Sequence, residues 1–148
     1  MLNATLGSEP EALSPADYET LASFRYGVRR YLAFAEANAQ AAGLTSQQHQ
    51  ALLAIKVHTA RRPMVIRDLA DQLLIRHHSA VELLGRLEKA GFAERRADPQ
   101  DRRQVQVSLT PAGEAVLASL SVSNLRELRL VAPAFSGLVS GLAALNPD

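Results

Sequence analysis

Two clusters of side chains carry the chemistry this sequence offers. One is basic: Arg95 and Arg96, then Arg102 and Arg103, flank the turn-forming run Ala97-Asp98-Pro99-Gln100-Asp101. Guanidinium groups make forked, charge-assisted bonds to phosphates and to the edge of guanine. The other cluster lies just upstream, where Ala80, Leu84 and Leu87 recur on one side of a short helix. That periodicity turns His78, Glu82, Gly85, Arg86 and Lys89 to the opposite side, with Ser79 and Val81 flanking them near the helix start. Such types suit base edges: Arg86 for guanine or a phosphate, Glu82 as acceptor for cytosine N4, Val81 for a thymine methyl. Ser79 suits a phosphate at a helix N-terminus. Taken singly, each position serves equally well as solvated surface.

The elements that must hold these clusters are legible from caps and periods. Ser14-Pro15 with Asp17 starts a long helix through Leu21, Phe24, Val28 and Leu32 to about Ala42, closed by Gly43. Thr45-x-x-Gln48 is a capping box opening a second helix through Leu52, Leu53 and Ile55, which ends near His58–Pro63. Ile66, Leu69, Ala70 and Leu73 mark a short third helix. After a turn near Ile75–His77 comes the fourth, closed by Gly91 with Phe92 packing back. Two short helices across a tight turn form a helix-turn-helix. The period then changes: Phe92–Arg96 and the alternating Val105, Val107 and Leu109 predict a β-hairpin wing. Thr110-Pro111 restarts helix as far as Pro133, and Phe135, Leu138, Val139, Leu142 and Leu145 form a last amphipathic stripe. The expected fold is mainly α with a small β-hairpin, a winged helix-turn-helix flanked by helices at both ends.

Composition narrows the classes. The 148 residues suit one domain, 47% apolar and 21% charged, with a net charge of only +1. A nucleic-acid binder needs a basic surface rather than a basic total, so that figure decides nothing. With no cysteine, disulfides and thiolate metal sites are excluded. No apolar run reaches the ~18 residues of a membrane span, and Met1–Ser14 lacks the pattern of a signal peptide, so no membrane partner and a cytoplasmic location are expected. His49, His58, His77 and His78 include no His-x-x-x-His pair, and no metal or other cofactor is expected. No Ser–His–acid set, phosphate loop or paired carboxylates point to an enzyme.

The run Gly85-Arg86-Leu87-Glu88-Lys89-Ala90-Gly91-Phe92-Ala93-Glu94-Arg95-Arg96, continuing Ala97-Asp98-Pro99-Gln100-Asp101-Arg102-Arg103, resembles the recognition-helix end and wing of MarR-type regulators. Val107-x-Leu109-Thr110-Pro111-x-Gly113 matches that family's Val-x-Leu-Thr followed by Pro-x-Gly. Gly43-Leu44-Thr45-x-x-Gln48 and Asp68-Leu69-Ala70 resemble its openings to the second and third helices. In motifs the likeness spans roughly Gly43 to Gly113. Two departures stand out: Val65 occupies the place of a capping Thr or Ser, which predicts a frayed third helix at a cost of ~1 kcal/mol. Glu82 stands where the family often has arginine.

The resemblance implies a homodimer that binds double-stranded DNA. Residues 1–12 would be a flexible start, 13–42 a dimerisation helix, 43–110 the winged lobe and 111–148 C-terminal dimerisation helices. It also implies that Arg103 enters the minor groove, oriented by Asp101, and that repression or activation is relieved by a small phenolic or anionic inducer. Such a ligand would lie beside Phe24, Arg25 or Tyr26 of the first helix, together with side chains of the second. Arg95 or Arg96 would serve phosphates. The sequence also allows a winged module that binds protein and never reads DNA, a reading that Glu82 favours and the wing arginines oppose.

Overall fold

The structure, a computed structural model, describes residues 12–143, with side chains through 140. The expected loose start therefore falls outside the described residues except for Ala12, and the side chains of Leu142 and Leu145 also lie outside them. The chain runs α1 (Pro15–Ala41), α2 (Ser46–Thr59), β1 (Met64–Val65), α3 (Ile66–Leu73), α4 (His77–Lys89), β2 (Ala93–Ala97), β3 (Val105–Leu109) and α5 (Pro111–Ala143).

Local chemistry explains most boundaries. Ser14 and Asp17 close a capping box at α1, and Thr45 and Gln48 close another at α2, where the Thr45 N–H donates to Gln48 Oε1 at 2.8 Å. Three helices end in the same way. The N–H of Leu44, Ile75 and Phe92 each reaches a carbonyl five residues back, at 2.9, 3.0 and 2.9 Å. Glycine fills the left-handed position in two of them, Gly91 with φ of +80°, but Leu74 fills it in the third with φ of +54°. A leucine there carries the Cβ–carbonyl crowding that glycine avoids.

Two expectations are corrected. Pro133 was expected to end one helix before a second, yet α5 runs through it to Ala143. Proline removes one helical N–H, but Pro133 and Arg129, whose carbonyl loses its partner, are both exposed, so water can satisfy that oxygen. The start of α3 was expected to fray at Val65. Instead Val65 pairs with β3 opposite Gln106, and its N–H donates to Asp68 Oδ2 at 3.0 Å. The third residue of the helix thus supplies the bond that Val65's side chain cannot.

The sheet has the order β1-β3-β2, antiparallel throughout, with Met64 and Arg95 both opposite Val107. Its inner face closes over a core of Leu52 and Ile55 from α2, Leu69 from α3, and Leu84 and Leu87 from α4, all fully buried. The long helices α1 and α5 pack on each other. Asn38 Nδ2 donates to Asn124 Oδ1 at 2.9 Å between them, and Phe24 meets Phe135 edge to face with ring centres 5.5 Å apart. Among the described residues, no helix is long and apolar enough to cross a membrane.

Candidate nucleic-acid interface

The α4 side chains fall as the helical period predicts. Ala80, Leu83, Leu84 and Leu87 are buried, while His78, Glu82 and Arg86 are exposed and Ser79 and Val81 half-buried beside them. Arg76 occupies the N-cap without a side-chain bond to the helix. The first amides of α4 are therefore free to take an outside acceptor, in the direction the helix dipole favours for an anion.

Strand alternation sends Arg95 and Arg96 to opposite faces of the hairpin. Arg95 turns inward onto α4: its Nε pairs with Glu88, and Nη2 lies 3.5 Å from the Val81 carbonyl oxygen. It fastens the wing to the helix, a joint the sequence reading missed. A Cβ on Gly85 would meet only Arg95 Nη2 at 3.8 Å, an ordinary contact, so close approach does not demand glycine there. Arg96 turns outward and pairs with Glu94 at 2.8 Å.

Asp101 does not hold the Arg103 guanidinium as expected. Its Oδ1 accepts the Arg103 backbone N–H at 3.1 Å, just as Asp98 Oδ1 accepts Gln100 N–H at 2.8 Å. A short carboxylate reaches the amide two residues on more readily than a long side chain's far end, so both aspartates build the turn. Arg102 and Arg103 are exposed and make no ion pair among the described residues.

The wing's base is keyed to α5. Thr110 Oγ1 donates to the Gly91 carbonyl at 2.6 Å and accepts the Gly113 N–H at 3.1 Å. A Cβ on Gly113 would sit 2.0 Å from the Phe92 carbonyl oxygen, so only glycine fits. The Leu-Thr-Pro-x-Gly run is thus a packing joint.

Three elements converge on one groove of about 450 Å³: Arg103 and Gln104 of the wing, His77 of α4, and Arg67 of α3. Arg67 was not among the expected contacts and His77 was expected only in the turn before the fourth helix; their positions in the first turns of adjacent helices were the available signal. Asp68, which also lines this groove, anchors the start of α3. Burial pushes its carboxyl up, but the Val65 amide, the Arg62 guanidinium at 3.0 Å and His58 at 3.4 Å together hold it below the usual carboxylate range.

Phe24 and Arg25 line a shallow groove of about 320 Å³ with Val28, Arg29 and Leu32, all from α1. Tyr26 is not brought there; the Arg30 guanidinium lies over its ring, 6.0 Å from the centre. No α2 side chain lines that groove. His49 and His58 are buried while His77 and His78 are exposed, and among the described residues no three metal-ligating side chains gather.

Residues 42–104 match the MarR family. The transcriptional activatory protein BadR of Rhodopseudomonas palustris is 32% identical over 107 residues, 72% of this chain and 57% of that protein. The uncharacterized HTH-type transcriptional regulator YsmB of Bacillus subtilis is 30% identical over 66 residues, 45% of each chain. The chain thus spans about half the length of these curated relatives. Among solved structures, the MarR family regulator AbsC of Streptomyces coelicolor superposes with a TM-score of 0.72 at 19% identity, over 93% of this chain and 94% of its own. A mutant of Staphylococcus aureus MepR bound to an oligodeoxyribonucleotide superposes with a TM-score of 0.66 at 22% identity, over 87% and 98%. These structures share the fold.

Proposed function

We propose that this chain, whose residues 42–104 match the MarR family, is a homodimeric, sequence-specific regulator of transcription that binds duplex DNA. The observation that carries this is the convergence of Arg103, His77 and Arg67 on one groove beside an uncapped recognition-helix terminus. In this reading α4 enters the major groove, with His78, Glu82 and Arg86 toward base edges and Ser79 and Val81 at the flank. Arg102 and Arg103 follow the minor groove, where narrow, negative segments attract arginine. Asp101 shapes the turn that presents them, and Arg95 sets the angle between wing and helix. Arg96 pairs with Glu94 on the outer face of the hairpin and takes no part in this contact.

Two lobes would address successive major grooves about one helical turn apart, which calls for a pseudo-palindromic operator. The apolar residues that α1 and α5 leave exposed, Leu21 at 55% and Leu125 at 51% among them, support these helices as the dimer body. The expected mode is repression. A phenolic or anionic inducer at Phe24 and Arg25 would release DNA by favouring a lobe spacing that no longer fits, which requires different affinities for the two spacings.

Selecting bound fragments from random genomic DNA tests the reading. Enrichment of a two-fold symmetric motif, released by a phenolic-acid panel, is expected. Recovery with no sequence preference, or none at all from a dimeric protein, would favour the protein-binding module instead.

A further inference from the structure

A second groove, of about 460 Å³, lies on the sheet's outer face, which turns away from α4. The end of α2 and the turn into β1 form one wall with Arg61, Arg62 and Pro63; β2 and β3 form the other with Arg96, Gln106 and Ser108. Register explains the second wall. Arg96 faces Gln106 across the β2–β3 ladder, and both point outward because Arg95 and Val107, one step along, point in.

Three guanidiniums therefore share one small concavity. Arg61 makes no ion pair among the described residues. Arg62 uses Nη1 and Nη2 on Asp68, at 3.4 and 3.0 Å, and Arg96 uses Nη2 on Glu94. Each guanidinium has five N–H donors, so all three retain donors for another acceptor. Gln106, half-buried, has no side-chain partner among the hydrogen bonds of the described residues, and its amide adds two more donors. The hydroxyls add little, since Thr59 donates to the Ile55 carbonyl at 2.7 Å and Ser108 lies against Glu94 at 3.5 Å.

We propose that this groove binds a small polyanion, a phosphorylated or polycarboxylate compound, held by Arg61, Arg62, Arg96 and Gln106. The Glu94 carboxylate, which Arg96 Nη2 meets at 2.8 Å, is the kind of functional group such a ligand would bring. The volume lies within the range of small-molecule sites. Duplex DNA is the lesser fit, because with α4 in a major groove this face of the sheet points away from the duplex. Arg62 is shared between the groove and Asp68, so a bound anion competes for the guanidinium that steadies the start of α3. The proposal is independent of DNA binding and can be tested without it.

Calorimetric titration of the full chain with inorganic pyrophosphate, and separately with citrate, at ionic strength held constant with NaCl, is the test. Saturable binding at one per chain by at least one of them is expected. Arg61→Ala combined with Arg96→Ala weakens it at least about tenfold, as loss of two charge-assisted contacts requires. Gln106→Ala weakens it less, and Arg102→Ala combined with Arg103→Ala leaves it unchanged within about twofold, because those arginines sit at the wing tip. Circular dichroism checks that each variant keeps its helices; should the alanine pair not fold, Arg61→Gln with Arg96→Gln takes its place. Absence of saturable binding, equal loss in the wing variant, or full binding by the groove variant overturns the proposal.

Discussion

Between Leu44 and Leu109 the large apolar side chains are mostly covered by the chain itself, and only Leu53, Val57 and Leu74 are strongly exposed. On α1 and α5 the proportion reverses, with Leu21, Leu32, Leu125, Leu128 and Leu130 all exposed along helices that touch mainly one another. The winged lobe is closed in one chain; the long helices are not. Burial of apolar surface is the main favourable term in both folding and association, so this uncovered stripe is the surface that the proposed second copy would cover. The contrast separates a lobe that covers its own core from a helical pair that leaves an apolar stripe open.

The largest effect is expected where the two parts meet. Gly113→Ala pushes a methyl into the Phe92 carbonyl and should destabilise the chain by about 3 kcal/mol, at the top of the overpacking range, read as a fall in denaturant midpoint. A change within about 0.5 kcal/mol would mean that the lobe is not keyed to α5. Next, Leu21→Glu combined with Leu125→Glu should weaken the dimer at least about thirtyfold by sedimentation, the equivalent of one strong interface contact. An unchanged dimer would place the interface elsewhere and break the comparison.

Smaller effects sharpen it. Leu74→Gly should stabilise the lobe by roughly 0.5–1 kcal/mol, since relief of left-handed strain exceeds the entropy cost of glycine. Destabilisation would instead give the exposed leucine a contact of its own. His49 is buried, and burial holds its imidazole below the ordinary value near 6.5. The unfolded chain therefore takes up that proton first. The stability contributed by neutral His49 is complete above about pH 6.5 and is lost as pH falls from there through the folded value. His49→Gln should flatten that part of the stability profile between pH 7 and 5, and a profile identical to wild type would contradict it.

How much of this was legible followed from how local each cause was. Caps that use a side chain three residues away, Ser14 with Asp17 and Thr45 with Gln48, were readable, as were Gly43 and Gly91 at helix ends and the alternation of Val105, Val107 and Leu109. Leu74 was not, because leucine carries no signal for a left-handed turn. β1 is two residues long and exists only by pairing with β3, so its sequence has no period to read. The Arg95–Glu88 pair, the Arg62–Asp68 pair and the meeting of Arg67 with His77 and Arg103 depend on how strands and helices cross. The sequence named the wing arginines as a group; only the fold divides them into a joint at Arg95, an outer face at Arg96 and an unpaired tip at Arg102 and Arg103.

The central claim is that this tip and the start of α4 are aimed together at duplex DNA. Salt dependence of duplex affinity, measured for wild type and Arg103→Ala with sedimentation confirming equal dimerisation, tests it most directly. The wild type should lose affinity steeply as salt rises, and Arg103→Ala should bind more weakly with a log–log slope shallower by about one per contact removed. A slope and affinity identical in the two proteins, or no complex even at low salt, would contradict the account.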